Sequence, residues 1–410
     1  MVREEMHCRI CGKPLRSLLD FGEIYPSAFV KDQTNLTKVP LVLAQCKECG
    51  LVQLKHTVEL DFMYRQYWYR SGLNKSMLND LKNIVDDIEK TIELNPGDTV
   101  VDIGCNDGSL FKYYNKDKEL KRVGFDPAEN LSDVYLNTDL FINDYFPTKY
   151  PIKPLNARVI TSIAMFYDLP DPHKFVEAIS NELNEDGIWV IQFTDLVSMI
   201  ELTAFDNICH EHLEYYRLRD IIGLLKQHGL EVFKVSHNNV NGGSIRIFAC
   251  HEGKRTIENS VFNYLRRECM MLKSGMFDVF FKNISSSILV LRNILDYLVR
   301  SKGKTVFVTG ASTKGNTLLQ IADINGLSVP YAAEVNKEKF KLFTVGTNIE
   351  IIPEDEAMKM KPDYFLVLPW HFKNTFIEKY REYILDGGSL IFPLPYIEII
   401  GKEELNGTGN

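Results

Sequence analysis

Short runs rich in Val and Ile alternate with helical stretches twice along this chain. That alternation restricts the fold to parallel sheets covered by helices on both faces. The first set of strands is expected at residues 99–103, 122–126, 157–162 and 187–193, with two late strands at 230–235 and 244–250 around a turn-rich tip. Ahead of it, residues 76–94 place Met77, Leu78, Leu81, Ile84, Val85 and Ile88 at helical spacing, and Asn95-Pro96-Gly97-Asp98 turns the chain. A long helical connector follows at about 257–300. A second set then begins at Thr305-Val306-Phe307-Val308-Thr309-Gly310, with further strands at 364–368 and 389–392. With 410 residues the chain exceeds one ordinary core, and two Rossmann-like domains are the simplest reading.

In front of the first set stand two Cys-x-x-Cys-Gly knuckles, Cys8-Arg9-Ile10-Cys11-Gly12 and Cys46-Lys47-Glu48-Cys49-Gly50. Four thiolates from two such turns suit one tetrahedral Zn²⁺. Disulfides and a redox pair are the rivals. No apolar leader follows Met1-Val2-Arg3-Glu4-Glu5 to suggest an oxidising compartment, and a redox motif would not be duplicated. An all-cysteine shell is closed, so this zinc is expected to be structural. Cys105, Cys209, Cys250 and Cys269 are scattered and read as reduced small hydrophobes.

The composition, 45% hydrophobic and 25% charged with a net charge of −8, is that of a soluble globular protein and argues against a general nucleic-acid binder. No apolar run reaches the length of a membrane span. A cytoplasmic location, no membrane partner, and a monomer or weak homodimer are the expectations.

The chemistry is sought in the loops. Val101-Asp102-Ile103-Gly104-Cys105-Asn106-Asp107-Gly108-Ser109 leaves the first strand with the spacing Asp-x-Gly-x-x-x-Gly. Gly104 and Gly108 let backbone approach a ligand closely. A dinucleotide site would call for Gly-x-Gly-x-x-Gly. The loop instead resembles motif I of class I S-adenosylmethionine-dependent methyltransferases, which implies that Asp102, Gly104, Asn106 and Gly108 hold the methionine end of the cofactor. About 20 residues on, Asp126 ends the second strand, where a carboxylate can bind ribose hydroxyls. Asn143, Asp144, Tyr145 and Phe146 fall where such enzymes contact adenine, and Gln192 at the end of the fourth strand is counted with this group.

Phe205-Asp206-Asn207-Ile208-Cys209-His210-Glu211-His212-Leu213-Glu214-Tyr215-Tyr216 concentrates ionisable side chains. The two histidines are too close for the His-Glu-x-x-His zinc motif, since on a helix they would point about 200° apart. Proton transfer fits better, because histidine titrates near neutrality and a neighbouring Glu orients it. The bland alternative is a core histidine tied to backbone groups. In the second half, Gly310-Ala311-Ser312-Thr313-Lys314-Gly315-Asn316-Thr317 is not a P-loop, because Lys314 precedes the second glycine. A helix N-terminus beside Lys314 still suits a diphosphate.

Taken in order, these motifs resemble the sugar C-methyltransferases that act on nucleotide-linked keto-sugars, and the resemblance covers nearly the whole chain. It is carried by the two knuckles, by Val-Asp-Ile-Gly-Cys-Asn-Asp-Gly, Gly-Phe-Asp-Pro and Ile-Cys-His-Glu-His-Leu-Glu-Tyr-Tyr. Further along it is carried by Asn241-Gly242-Gly243-Ser244-Ile245-Arg246, Leu368-Pro369-Trp370-His371-Phe372 and the closing stretch from Gly387 to Pro395. The resemblance implies an α/β chain in three parts: a zinc module at 1–65, a class I methyltransferase domain at 66–275 and a C-terminal Rossmann-like domain at 276–410. It implies S-adenosylmethionine and zinc as cofactors and an enolate that takes the methyl group. His212 matches the family's base and Glu211 the carboxylate beside it, with His210 in the same cluster and an assisting tyrosine at Tyr67 or Tyr69. Asn241, Ser244, Arg246, Lys314, Asn316, Trp370 and His371 match the substrate-binding stretches. Two positions depart from the family: Cys209 stands where it has Tyr, and Asp168 where it has His. Tyr167, Tyr215 and Tyr216 are candidate replacement donors. O- or N-methylation of a related substrate is the alternative reaction, and a binding protein with a decayed methyltransferase fold is the alternative from another class.

Overall fold

A computed structural model describes residues 2–407 and divides the chain into two compact, discontinuous units. The first comprises the residues up to Ser17, Ala44–Ser198 and Glu211–Lys273; the second comprises Leu18–Leu43, Met199–His210 and the residues from Ser274 onward.

The first unit is built on a seven-stranded sheet. Its strands are β1 (Thr99–Ile103), β2 (Lys121–Phe125), β3 (Leu140–Ile142), β4 (Ala157–Ile163), β5 (Leu183–Phe193), β6 (Leu230–Asn238) and β7 (Ser244–His251). Their spatial order is β6-β7-β5-β4-β1-β2-β3, with β7 antiparallel between β5 and β6 and the others parallel. This is the class I methyltransferase arrangement. The strands are apolar on both faces: Val101, Ile103, Trp189 and Ile191 enter one buried cluster, while Val100, Ile188, Val190 and Phe248 enter the other. That is why they read as continuous hydrophobic runs.

Helix α1 (Lys75–Thr91) covers the second face with Met77, Leu81, Ile84, Val85 and Ile88. Asn74 caps it, accepting from the N–H groups of Ser76 and Met77 at 3.0 and 3.2 Å. The first face receives helix α2 (Pro172–Glu182) and helix α3 (Leu218–Lys226). It also receives the buried thiol-bearing residues Cys8 and Cys46 with Leu51.

The second unit holds the other Rossmann-like sheet. Strand β8 (Val306–Thr309) lies between β9 (Tyr331–Glu334) and β11 (Tyr364–Val367), with β10 (Glu350–Pro353) beyond β9 and β12 (Ser389–Phe392) beyond β11, all parallel. Short antiparallel strands close its edges; one of them, Phe29–Val30, comes from the N-terminal region and pairs with Phe343–Thr344. The expected connector is two helices, α4 (Asn259–Met271) and α5 (Met276–Asp296), because Gly275 adopts φ +79° and interrupts the helical run. Strands β3, β9 and β10 were not anticipated from the sequence. Among the described residues no helix is long and apolar enough to cross a membrane.

Candidate active site and zinc centre

Parallel sheets bind ligands outside the carboxyl ends of their strands, where the strand order reverses. In the first unit that point lies between β1 and β4, and a cavity of about 390 Å³ opens there. Gly104 forms its floor at φ +72°, and a Cβ at that position would meet Met165 Cγ at 3.0 Å. Only glycine combines that backbone with that approach. Asn106 and Asp107 tie the loop to residues 69–72: Asn106 donates to the Tyr69 carbonyl at 3.0 Å and accepts from the Ser71 N–H at 3.0 Å. Asp107 accepts from the Gly72 N–H at 2.7 Å.

The walls are largely apolar, with Met77, Leu81, Leu110, Phe125, Phe146 and Phe175, yet five acidic residues (Asp102, Asp126, Asp144, Asp168 and Asp171) line the cavity along with Lys174. Asp126 accepts the Asn106 and Ala128 N–H groups, each at 2.9 Å and each on a different oxygen. Both oxygens therefore keep acceptor capacity for hydroxyls. Burial raises its pKa. Asp102 accepts a 2.6 Å bond from the Thr161 hydroxyl, its neighbour in the β1–β4 register. Burial nonetheless pushes its carboxyl up to about 7. An acid-rich apolar cavity fits a ligand that combines a sulfonium, an ammonium, a ribose and a flat base. S-adenosylmethionine is such a ligand, and the residues present fit it.

The expected cofactor residues separate into two groups. Asp102, Gly104, Asn106, Asp126, Asp144, Tyr145 and Phe146 line the cavity. Gly108, at φ +70°, opens the short helix after the loop. Asn143 works behind the wall, donating to the carbonyls of Asp126 and Ala128 at 2.9 Å. Gln192 is buried away from the cavity lining; it donates to Asp80 at 2.5 Å and accepts from Arg246 at 2.8 Å. Arg246 itself pairs with Asp80 at 3.0 Å and with Asp87. Among the first unit's expected substrate residues, Arg246 is thus engaged in an internal ion network. Ser244 donates to the Val240 carbonyl at 2.9 Å, and the Asn241 carbonyl accepts from Thr194 at 3.3 Å.

The two tyrosines both line the cavity but face different neighbours. Burial lifts the Tyr67 phenol well above its usual range, with Glu211, Asp168 and Tyr167 adding to the effect. Burial likewise raises Tyr69, but the acids around it are Asp107 and Asp80. Tyr67 therefore belongs to the Glu211 side. Tyr64, which no sequence motif singles out, also lines the cavity and donates to the Glu211 carbonyl at 3.0 Å. Glu211 and His212 are buried, and the His212 ring lies 4.3 Å from that of Tyr167. His210 belongs to the second unit, where its Nε2 sits 3.1 Å from the Val39 carbonyl. That is the core-histidine arrangement.

In the second unit the strand order reverses between β8 and β11. Lys314, just inside the helix Thr313–Ile321, donates to Asn207 at 2.8 Å, and Trp370 donates to Asp206 at 2.9 Å. His371 is held neutral, its pKa lowered to about 3 by burial and by the Lys314 charge. Asn316 is fully buried and donates to the Ala28 carbonyl at 3.1 Å.

The four knuckle cysteines converge. Cys8 and Cys49 sulfurs are 3.6 Å apart, Cys11 and Cys46 3.3 Å, Cys11 and Cys49 3.5 Å, and all four lie within 4.8 Å of one another. A tetrahedral Zn²⁺ with bonds of about 2.3 Å needs sulfurs roughly 3.8 Å apart, so the donor set fits zinc.

Family models match three stretches of the chain. Residues 8–64 match the family described as "Putative zinc binding domain", residues 74–235 a methyltransferase domain, and residues 239–395 a C-methyltransferase C-terminal domain. The chain is 26% identical to the C-methyltransferase NovU of Streptomyces niveus, over 98% of this chain and 99% of that protein. Among solved structures, the magnesium protoporphyrin IX methyltransferase of Synechocystis PCC 6803 with bound SAM is 14% identical. It covers 43% of this chain and 79% of its own, with a TM-score of 0.33. The plantazolicin methyltransferase in complex with SAH is 14% identical over 42% and 82%, with a TM-score of 0.35.

Proposed function

We propose that this chain, an S-adenosylmethionine-dependent C-methyltransferase, methylates the carbon beside the ketone of a nucleotide-linked sugar, with His212 as the base. The observation that supports the reading is that Glu211 and His212, buried and not themselves among the cavity's lining residues, adjoin residues that line it or stand next to a lining residue in the chain. Tyr64 and Tyr67 line the cavity and address Glu211, and Asp168 lines it directly after Tyr167, against whose ring His212 packs. When bound, S-adenosylmethionine supplies an electrophilic methyl group. The protein's share is to remove the proton and to steady the oxyanion that develops on the ketone. His212 takes the proton, and Glu211 sits beside it in the chain. The Tyr67 phenol, kept protonated by burial, donates toward the oxyanion. Asp168 stands where the family resemblance implies His, and a carboxylate cannot act as an imidazole, so the donor role falls to the phenols.

Lys314, in the first turn of the helix Thr313–Ile321, is assigned to the nucleotide diphosphate. In the test, His212→Ala abolishes turnover while S-adenosylmethionine affinity, measured by calorimetry, stays within about twofold. Wild type in D₂O with the keto-sugar nucleotide and S-adenosylhomocysteine exchanges hydrogen next to the ketone, and the variant does not. A variant that keeps most of its rate removes His212 as the base. Full turnover without any wash-in points to methylation of oxygen or nitrogen.

A further inference from the structure

We infer that Arg9, inside the first zinc knuckle, is a positioning residue for the reaction: it fixes the segment that carries His212, so that the zinc module is the mount of the base. The inference rests on the reading of His212 given above.

Arg9 stands between Cys8 and Cys11, and its side chain is only 3% exposed. One guanidinium nitrogen, Nη1, donates to the carbonyls of Leu54 at 2.9 Å and Leu213 at 3.3 Å. The other, Nη2, donates to the Thr57 hydroxyl at 2.8 Å, and Nε lies 3.3 Å from the buried carboxylate of Glu214. The Arg9 backbone N–H donates to the Gln53 side chain at 2.9 Å. Two of the partners of this one fork, Leu213 and Glu214, are the residues directly after His212.

Leu213 is gripped from both sides. Its carbonyl also accepts the Leu54 N–H at 2.8 Å, and its own N–H donates to the Tyr167 carbonyl at 2.7 Å, beside the ring on which His212 rests. Glu214 and Tyr215 continue the hold as a short strand paired with Gln53 and Val52. At the far end of the segment Arg217 donates to the Cys49 carbonyl at 2.7 Å, so the second knuckle holds that end. A buried guanidinium has five N–H donors to satisfy, and a structural role alone would place their acceptors anywhere in the module. This one spends its planar fork on the backbone that sets where His212 points. A lysine could supply the charge but not the geometry. The bonds of Arg9 and those of the Gly104–Gly108 loop share no partner, so Arg9 variants are expected to disturb the base and not the cofactor.

The experiment uses the full chain as Arg9→Met and Arg9→Lys, with zinc content, S-adenosylmethionine affinity, kcat and KM on a keto-sugar nucleotide, and the His212 imidazole signals in histidine-labelled protein followed by NMR. The expected result for Arg9→Met is one zinc per chain, cofactor affinity within about twofold, displaced His212 signals and a kcat lowered about a hundredfold with KM little changed. Arg9→Lys falls between. If Arg9→Met loses zinc, Thr57→Val and Glu214→Gln disturb the same fork from outside the knuckle and carry the test. Unmoved His212 signals in zinc-replete variants overturn the proposal. A rate that survives His212→Ala defeats the base reading, and the His212 signals still report whether Arg9 positions the ring.

Discussion

At the scale of single residues, the cavity acids carry the most testable physics. Asp102 has an unfolded carboxyl that ionises near 4 and a folded one held at about 7 by burial. Between those values the folded state holds the extra proton, so stability falls as pH rises through that window, by an upper bound of roughly 4 kcal/mol. Asp102→Asn removes this slope: thermal melts of the cofactor-free protein lose more Tm between pH 5 and 8 in wild type than in the variant. An equal decline in both would place the slope elsewhere. Spacing marked Asp102, Asp126 and the knuckle cysteines correctly as neighbours of a loop or of each other, because their roles follow from local turns. Spacing could not rank Tyr67 over Tyr69, nor find Tyr64, Arg9 or Arg217. Which acid a phenol faces, and which carbonyl a guanidinium reaches 204 residues away, depends on tertiary placement.

At the scale of elements, β1 and the loop after it join fold to function. The strand is buried on both sides, which made it legible as a Val/Ile run, and its register with β4 delivers Thr161 to Asp102. Strands β3, β9 and β10, of three or four residues, escaped notice, β9 because Tyr331-Ala332-Ala333-Glu334 lacks the Val/Leu/Phe run that marks the equally short β8, β11 and β12. Gly104 shows how narrowly the loop is set. Gly104→Ala forces an L side chain into φ +72° and against Met165 at 3.0 Å. The expected outcome is S-adenosylmethionine binding weakened at least tenfold in calorimetry. The control is Gly97→Ala, at φ +87° but with open space around its Cβ. It carries the same kind of backbone strain far from the loop's ligand side and leaves affinity within about twofold. Equal losses in both would mean that general destabilisation, not the cradle, sets the effect.

At the scale of the whole molecule, the chain does not fold as consecutive beads. A linear reading assigns residues 18–43 to the N-terminal module, and no local signal says otherwise, because strand pairing across some 300 residues leaves no periodic trace in either partner. Yet these residues belong to the second unit. Tyr25 exchanges backbone bonds with the Gln320 side chain at 2.9 and 3.0 Å, Ser27 donates to the Thr313 carbonyl at 2.8 Å, and Asn316 holds Ala28. Phe29–Val30 then covers the sheet edge at Phe343–Thr344. A fragment of residues 274–410 therefore exposes an unpaired edge and loses the partners of the Asn316 and Gln320 amides, at about 1 kcal/mol of net stability for each hydrogen bond lost. Expressed alone, it is expected to aggregate or to melt well below the full chain. Supplying residues 18–43 on a flexible linker raises its Tm and its soluble yield, while the same linker carrying Asn316→Ala in the fragment recovers less. A fragment that is monomeric and melts like the intact protein would show that the N-terminal strand is an ornament of the second sheet and not a part of it.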